Sequence, residues 1–109
     1  MLEKEIEEAL RVGVASLGGI AYKWTSPGNA GVPDRIVVQP WGEVYFVELK
    51  QARGVLTKLQ TAQQNKLRHV GANVVTLYGL TDVYRFLRLL ASEMAAREIV
   101  RAFRKPERG

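Results

Sequence analysis

Three ionisable side chains stand where the sequence otherwise reads as buried strand. Residues 31–38 (GVPDRIVV) and 44–50 (VYFVELK) are dense in Val, Ile, Phe and Tyr and are separated by a Pro-Trp-Gly turn signal, yet they carry Asp34, Glu48 and Lys50. Alternate strand residues share a face, so Val44, Phe46, Glu48 and Lys50 point one way and Tyr45, Val47 and Leu49 the other. A hairpin turning about Trp41 opposes Val38 to Val44, Ile36 to Phe46 and Asp34 to Glu48, and a slip of one residue would scramble the apolar matches. Directly opposed Cβ atoms lie about 5 Å apart. Two carboxylates at that distance repel by on the order of 3 kcal/mol at an effective dielectric near 20. A proton, a lysine or a metal ion must relieve them. Lys50 offsets part of the repulsion, and converging hard oxygens are what Mg²⁺ or Mn²⁺ takes, with water completing an octahedron. Such a site suits phosphodiester hydrolysis, which needs a nucleophilic water, neutralisation of a developing pentavalent charge and a stabilised leaving oxygen.

The rest of the chain must position these groups. Its 109 residues are 47% hydrophobic and 25% charged, the balance of one globular domain with one core. The absence of cysteine excludes disulfides, thiol nucleophiles and zinc fingers and points to a reducing, cytoplasmic compartment. No apolar run has the roughly 18 residues of a membrane span, and the first ten residues read as a charged helix rather than a signal. A net charge of +5 favours a polyanionic partner. SPGNAG lacks the lysine and serine of a phosphate loop, so no nucleotide cofactor is expected.

Ile6, Leu10, Val14 and Leu17 share one helical face over residues 3–17, and Gly18-Gly19 stops that helix. IAYKW (20–24) reads as a strand, and TSPGNAG as a loop leading into the two runs already described. Thr57 is placed to cap a helix from Lys58 to Val70 that Gly71 ends, and NVVTLY resumes a strand. Thr81-Asp82 caps a last helix, 81–103, with Val83, Phe86, Leu87, Leu90 and Met94 as its apolar stripe, and 104–109 reads as a frayed tail. The predicted class is α/β, a mixed β-sheet flanked by helices.

GVPD, thirteen residues, then ELK resembles the PD-(D/E)xK (restriction-endonuclease-like) nucleases. KWTSPGNAGVPDRIVV, VYFVELK, LTKLQ and LRHVGANVVTLY, after an acidic helix ending in Gly-Gly, look more narrowly like the virus-type replication-repair nuclease (VRR-NUC) domain in its short stand-alone phage form. The likeness covers residues 3 to about 78. It implies that Asp34, Glu48 and the backbone carbonyl of Leu49 are metal ligands, that Lys50 is the catalytic lysine, and that Gln60 is the family's glutamine on the following helix. It also implies an acidic residue on the first helix. Glu3 and Glu7 lie four apart on the inward-looking face. Glu7 is preferred, because its eleven-residue distance from Gly18 resembles archaeal Holliday-junction resolvases of the same superfamily.

The implied activity is Mg²⁺- or Mn²⁺-dependent DNA endonuclease action, structure-specific for four-way junctions, in phage or bacterial replication, recombination or repair. A homodimer is expected from the lone domain, the last helix's apolar stripe and the symmetry of paired cuts. Lys23, Arg35, Arg53, Lys58 and Arg68 are candidates for gripping flanking phosphates. Each signal has a plainer reading: the acidic pair with Lys50 as an ion network at a strand end, Gln60 as a solvated glutamine, and His69, Trp24 and Trp41 as surface or packing residues. The rival functional class is a non-catalytic nucleic-acid-binding module on the same fold. Such a module gains nothing from carboxylates that repel phosphate unless a metal intervenes.

Overall fold

The computed structural model describes residues 3–104. The elements, in chain order, are α1 (Glu3–Ser16), β1 (Ile20–Lys23), β2 (Arg35–Val38), β3 (Val44–Lys50), α2 (Lys58–His69), β4 (Asn73–Tyr78) and α3 (Gly79–Arg104). Their order is the expected one. Trp24 falls just beyond β1, and α3 begins before Thr81 because Asp82 reaches back to accept the Tyr78 N–H at 2.9 Å. Arg104 belongs to α3, while the rest of the expected tail, 105–109, lies outside the described residues.

Both predicted glycine stops work through the same geometry. Gly19 N–H donates to the Val14 carbonyl and Gly18 N–H to the Ala15 carbonyl; Ala72 and Gly71 repeat the pattern on Leu67 and Arg68. These are Schellman closures, in which the penultimate residue must take positive φ, here +84° at Gly18 and +87° at Gly71.

The sheet order is β1-β2-β3-β4, antiparallel except for the parallel β3–β4 pair, which α2 connects. The β2–β3 register sets Ile36 against Phe46 and Val38 against Val44, as the hairpin about Trp41 requires. One face of the sheet, carrying Val37, Tyr45, Val47, Leu49 and Leu77, packs on Ile6, Leu10 and Val14 of α1 and Val83, Phe86 and Leu90 of α3. α2 lies over β4 from the other face, where the buried Gln64 amide donates to Thr76 Oγ1 at 2.9 Å. Among the described residues no helix is long and apolar enough to cross a membrane.

Candidate active site

Asp34 immediately precedes β2, and Glu48 and Lys50 close β3, so the hairpin brings all three to one end of the sheet. There they line a cleft of about 680 Å³ with Glu3, Leu49, Arg53, Val55 and Gln60. Glu48 is only 3% exposed. Its Oε2 accepts from Gln60 Nε2 at 3.4 Å, while Oε1 is buried with no hydrogen-bond partner among the described residues. Asp34 Oδ2 accepts the Leu49 N–H at 3.4 Å. Burial, then the neighbouring Asp34, pushes the Glu48 carboxyl up to about 8; Lys50 works against the shift and Glu3 adds to it. Glu48 therefore favours its protonated form near neutrality.

Gln60 is held from both ends. Thr57 caps α2 by accepting the Gln60 N–H at 3.1 Å, and Gln60 Oε1 accepts the Thr57 N–H at 2.9 Å, a reciprocal capping box. With Oε1 committed to the cap, Nε2 faces Glu48. The plain reading of this residue as a solvated glutamine therefore fails. Lys50 is shaped by the loop that follows it: a side chain at Gly54 would press on the Lys50 Cβ from 3.2 Å. The loop before Asp34 is fixed against α2, since any Cβ at Gly31 would meet the Leu59 backbone at 3.0 Å, and Gln63 donates to the Ala30 carbonyl at 3.3 Å.

Several expected residues lie elsewhere. Glu3, not the preferred Glu7, reaches the cleft; Glu7 is drawn to Arg35, Oε2 to Nη2 at 3.2 Å. That pairing also removes Arg35 from the phosphate-gripping set, because its side chain is only 13% exposed. Arg68 sits at the far end of α2, donating to Gln64 Oε1 and to the Val74 carbonyl. Arg53 lines the cleft, Lys58 is exposed at the start of α2, and Lys23 is exposed at the end of β1. Trp24 packs on Phe46 with ring centroids 5.1 Å apart, Trp41 lies under the Arg97 guanidinium, and His69 is exposed.

The site's donor chemistry suits a small, hard divalent cation. Among the described residues no three His, Cys, Asp or Glu side chains form a cage, but Mg²⁺ keeps several waters and needs only one or two carboxylates. The partnerless Glu48 Oε1 beside Asp34 supplies an unsatisfied acceptor where such an ion would bind. Asp34, Glu48 and the Leu49 carbonyl are the ligand candidates, with Glu3 across the cleft. A larger groove of about 850 Å³, lined by Trp41, Glu43, Glu93, Arg97 and Arg101 among others, lies at the opposite end of the sheet. It has no buried carboxylate among the described residues, so it is not the candidate centre.

A mixed sheet flanked by helices, with an acidic pair and ExK at one sheet end, is the PD-(D/E)xK nuclease arrangement. The chain is 43% identical over 75 residues, 69% of its length and 81% of the relative's, to "Putative nuclease p44" of Acyrthosiphon pisum secondary endosymbiont phage 1. It superposes on a solved VRR-NUC domain with a TM-score of 0.74 at 26% identity, covering 79% of this chain and 94% of that one. No protein-family profile matches it. The chain belongs to the VRR-NUC family of nucleases.

Proposed function

We propose that the protein is a divalent-metal-dependent endodeoxyribonuclease acting on branched DNA. The observation that carries this reading is the buried Glu48, its Oε1 without a partner among the described residues, set beside the half-buried Asp34. A fold gains nothing from burying two carboxylates together, and a site that hydrolyses phosphodiesters does. Mg²⁺ or Mn²⁺, when bound, supplies Lewis-acid neutralisation of phosphate charge and a more acidic water.

The chain's own groups do the rest. Asp34, Glu48 and the Leu49 carbonyl hold the ion, and Glu3 adds negative charge from α1. Lys50, on the same strand face as Glu48, orients the attacking water and holds developing negative charge. Gln60 fixes the Glu48 carboxylate through Nε2 and keeps its remaining N–H for water or a phosphate oxygen. Arg53, Lys58 and Lys23 grip flanking phosphates, while Arg35 and Arg68 serve internal partners. Its role is in phage or bacterial replication, recombination or repair, a reading supported by the similarity to a phage protein named as a putative nuclease, and four-way junctions are the favoured branched substrate.

Paired cuts on such a substrate call for a homodimer. Exposed Ile99, Val100 and Phe103 on α3 and exposed Ile20 and Tyr22 on β1 supply apolar surface for it. Light scattering at micromolar concentration should give twice the 12.2 kDa chain mass, and a monomer would exclude the dimer. Incubation with a four-way junction, a flap and plain duplex, in Mn²⁺ and in EDTA, tests the activity. Metal-dependent cleavage favouring the junction is expected; no cleavage of any substrate in Mn²⁺ would overturn the enzymatic reading.

A further inference from the structure

Four glutamates crowd the first six residues of α1, and two of them, the exposed Glu3 and the half-buried Glu7, stand one turn apart. Only Glu3 lines the cleft. The Gly18-Gly19 closure into β1 and the close approach of Gly13 to Leu87 fix the far end of α1. At its first turn the holding contact is Arg35. It follows Asp34 directly, stands opposite Val47 in the β2–β3 register, and therefore projects toward α1 on the face away from Glu48. Its guanidinium meets Glu7 at 3.2 Å, with the two side chains 13% and 31% exposed, and its Nε is buried without a partner among the described residues.

An ion pair so placed is a poor device for stability. Desolvating both charges offsets most of their attraction, and apolar replacements of similar volume are often as stable or more so; fixing register is the best-attested use of such pairs. The unsatisfied Nε adds to that cost. We propose that Arg35 is a positioning residue: by holding Glu7 against β2 it fixes the first turn of α1, so that Glu3 faces the Asp34–Glu48 pair across the cleft. The inference rests on the reading of that pair as a metal site. It gives Glu7 and Arg35 a role in metal affinity without contact with the metal or with DNA.

The test measures Mn²⁺ binding to the full chain by calorimetry without DNA, with thermal melts in EDTA. The double variant Glu7→Leu, Arg35→Met replaces the pair by apolar volume. It should melt at or above wild type and bind Mn²⁺ several-fold more weakly, about as much as Glu3→Gln does, because the pair acts only through Glu3. Glu3→Gln should weaken binding several-fold in the wild type but less than about twofold in the double-variant background, because coupled residues fail additivity. Asp34→Asn is the control and should lose most of the binding. Wild-type Mn²⁺ affinity in the double variant, or an undiminished Glu3→Gln effect within it, overturns the proposal while leaving the metal site standing. If the double variant does not fold, the pair is a stability element and the proposal is likewise overturned. Glu7→Gln, which keeps the side chain's shape, gives a second measure, and unchanged Mn²⁺ affinity there also refutes it. A wild type that binds no Mn²⁺, or an Asp34→Asn variant that binds it normally, removes the metal reading and the positioning role together.

Discussion

At the turn end of β2 and β3, Glu93 of α3 accepts from Tyr45 Oη at 2.7 Å and from Gln39 Nε2 at 3.2 Å, while Arg97 pairs with Glu43 at 3.4 Å and lies 5.0 Å over Trp41. At the other end of the same two strands, Glu48 and Asp34 face each other with an acceptor left over. Both ends bury polar groups. The turn end pairs donors with acceptors, the Trp41 Nε1 excepted, and so fastens α3 to the hairpin. The cleft end sets acceptor against acceptor, which the bare fold tolerates only by keeping a proton. On the proposed function, the difference separates polar groups kept for cohesion from polar groups kept for a ligand.

The largest effects that could break this contrast are on cleavage. Asp34→Asn and Glu48→Gln should each lower the cleavage rate by at least about a thousandfold and weaken Mn²⁺ binding, yet leave affinity for DNA in EDTA intact. Each should melt no lower than wild type in EDTA, with a gain of about 1 kcal/mol, since one charge of a repelling pair is gone. Variants that melt lower in EDTA and still cleave in Mn²⁺ would make the pair an ion network with Lys50. Lys50→Ala should abolish cleavage with Mn²⁺ affinity nearly unchanged, because the amine is not a ligand. A variant cutting at the wild-type rate would remove the lysine from the mechanism.

At the turn end the signs should reverse. Glu93→Gln or Tyr45→Phe should cost about 1–3 kcal/mol by stranding buried partners, with cleavage per folded molecule unchanged. Urea melts beside single-turnover assays distinguish the two ends. Loss of cleavage at full stability would show that the turn end also serves the reaction.

The smallest expected effect is on the pH dependence of stability without metal. Glu48 keeps its proton up to about 8 in the folded chain, against an ordinary 4.5 when unfolded. Between these values the folded state binds more protons than the unfolded one. Stability in EDTA should therefore fall as pH rises from about 4.5 to about 8 and level off above. Glu48→Gln should flatten this limb, whereas Glu93→Gln should leave it in place. A limb that survives in Glu48→Gln would place the proton uptake on another group.

The sequence by itself determined the element order, both glycine helix stops, the β2–β3 register and the meeting of Asp34 with Glu48 and Lys50. These rest on local or near-local rules: strand alternation, a tight turn, a capping residue and positive φ. Tertiary structure decided the rest, because it turns on which faces meet across long separations. Periodicity puts Glu3 and Glu7 on the same face and cannot say which reaches the cleft; only the packing of α1 over Arg35 settles it. Composition offered Arg35 and Arg68 as free cations, and only the folded contacts pair Arg35 with Glu7 and the exposed Arg68 with Gln64 and the Val74 carbonyl. Gln60 had a family match in the sequence, but its orientation comes from the Thr57 cap on one side and Glu48 on the other, a pairing of helix start and strand end twelve residues apart. The Glu93 network leaves no trace in sequence, since its partners lie 48 and 54 residues away and an isolated glutamate in an α-helix reads as solvated until the sheet is laid beneath it.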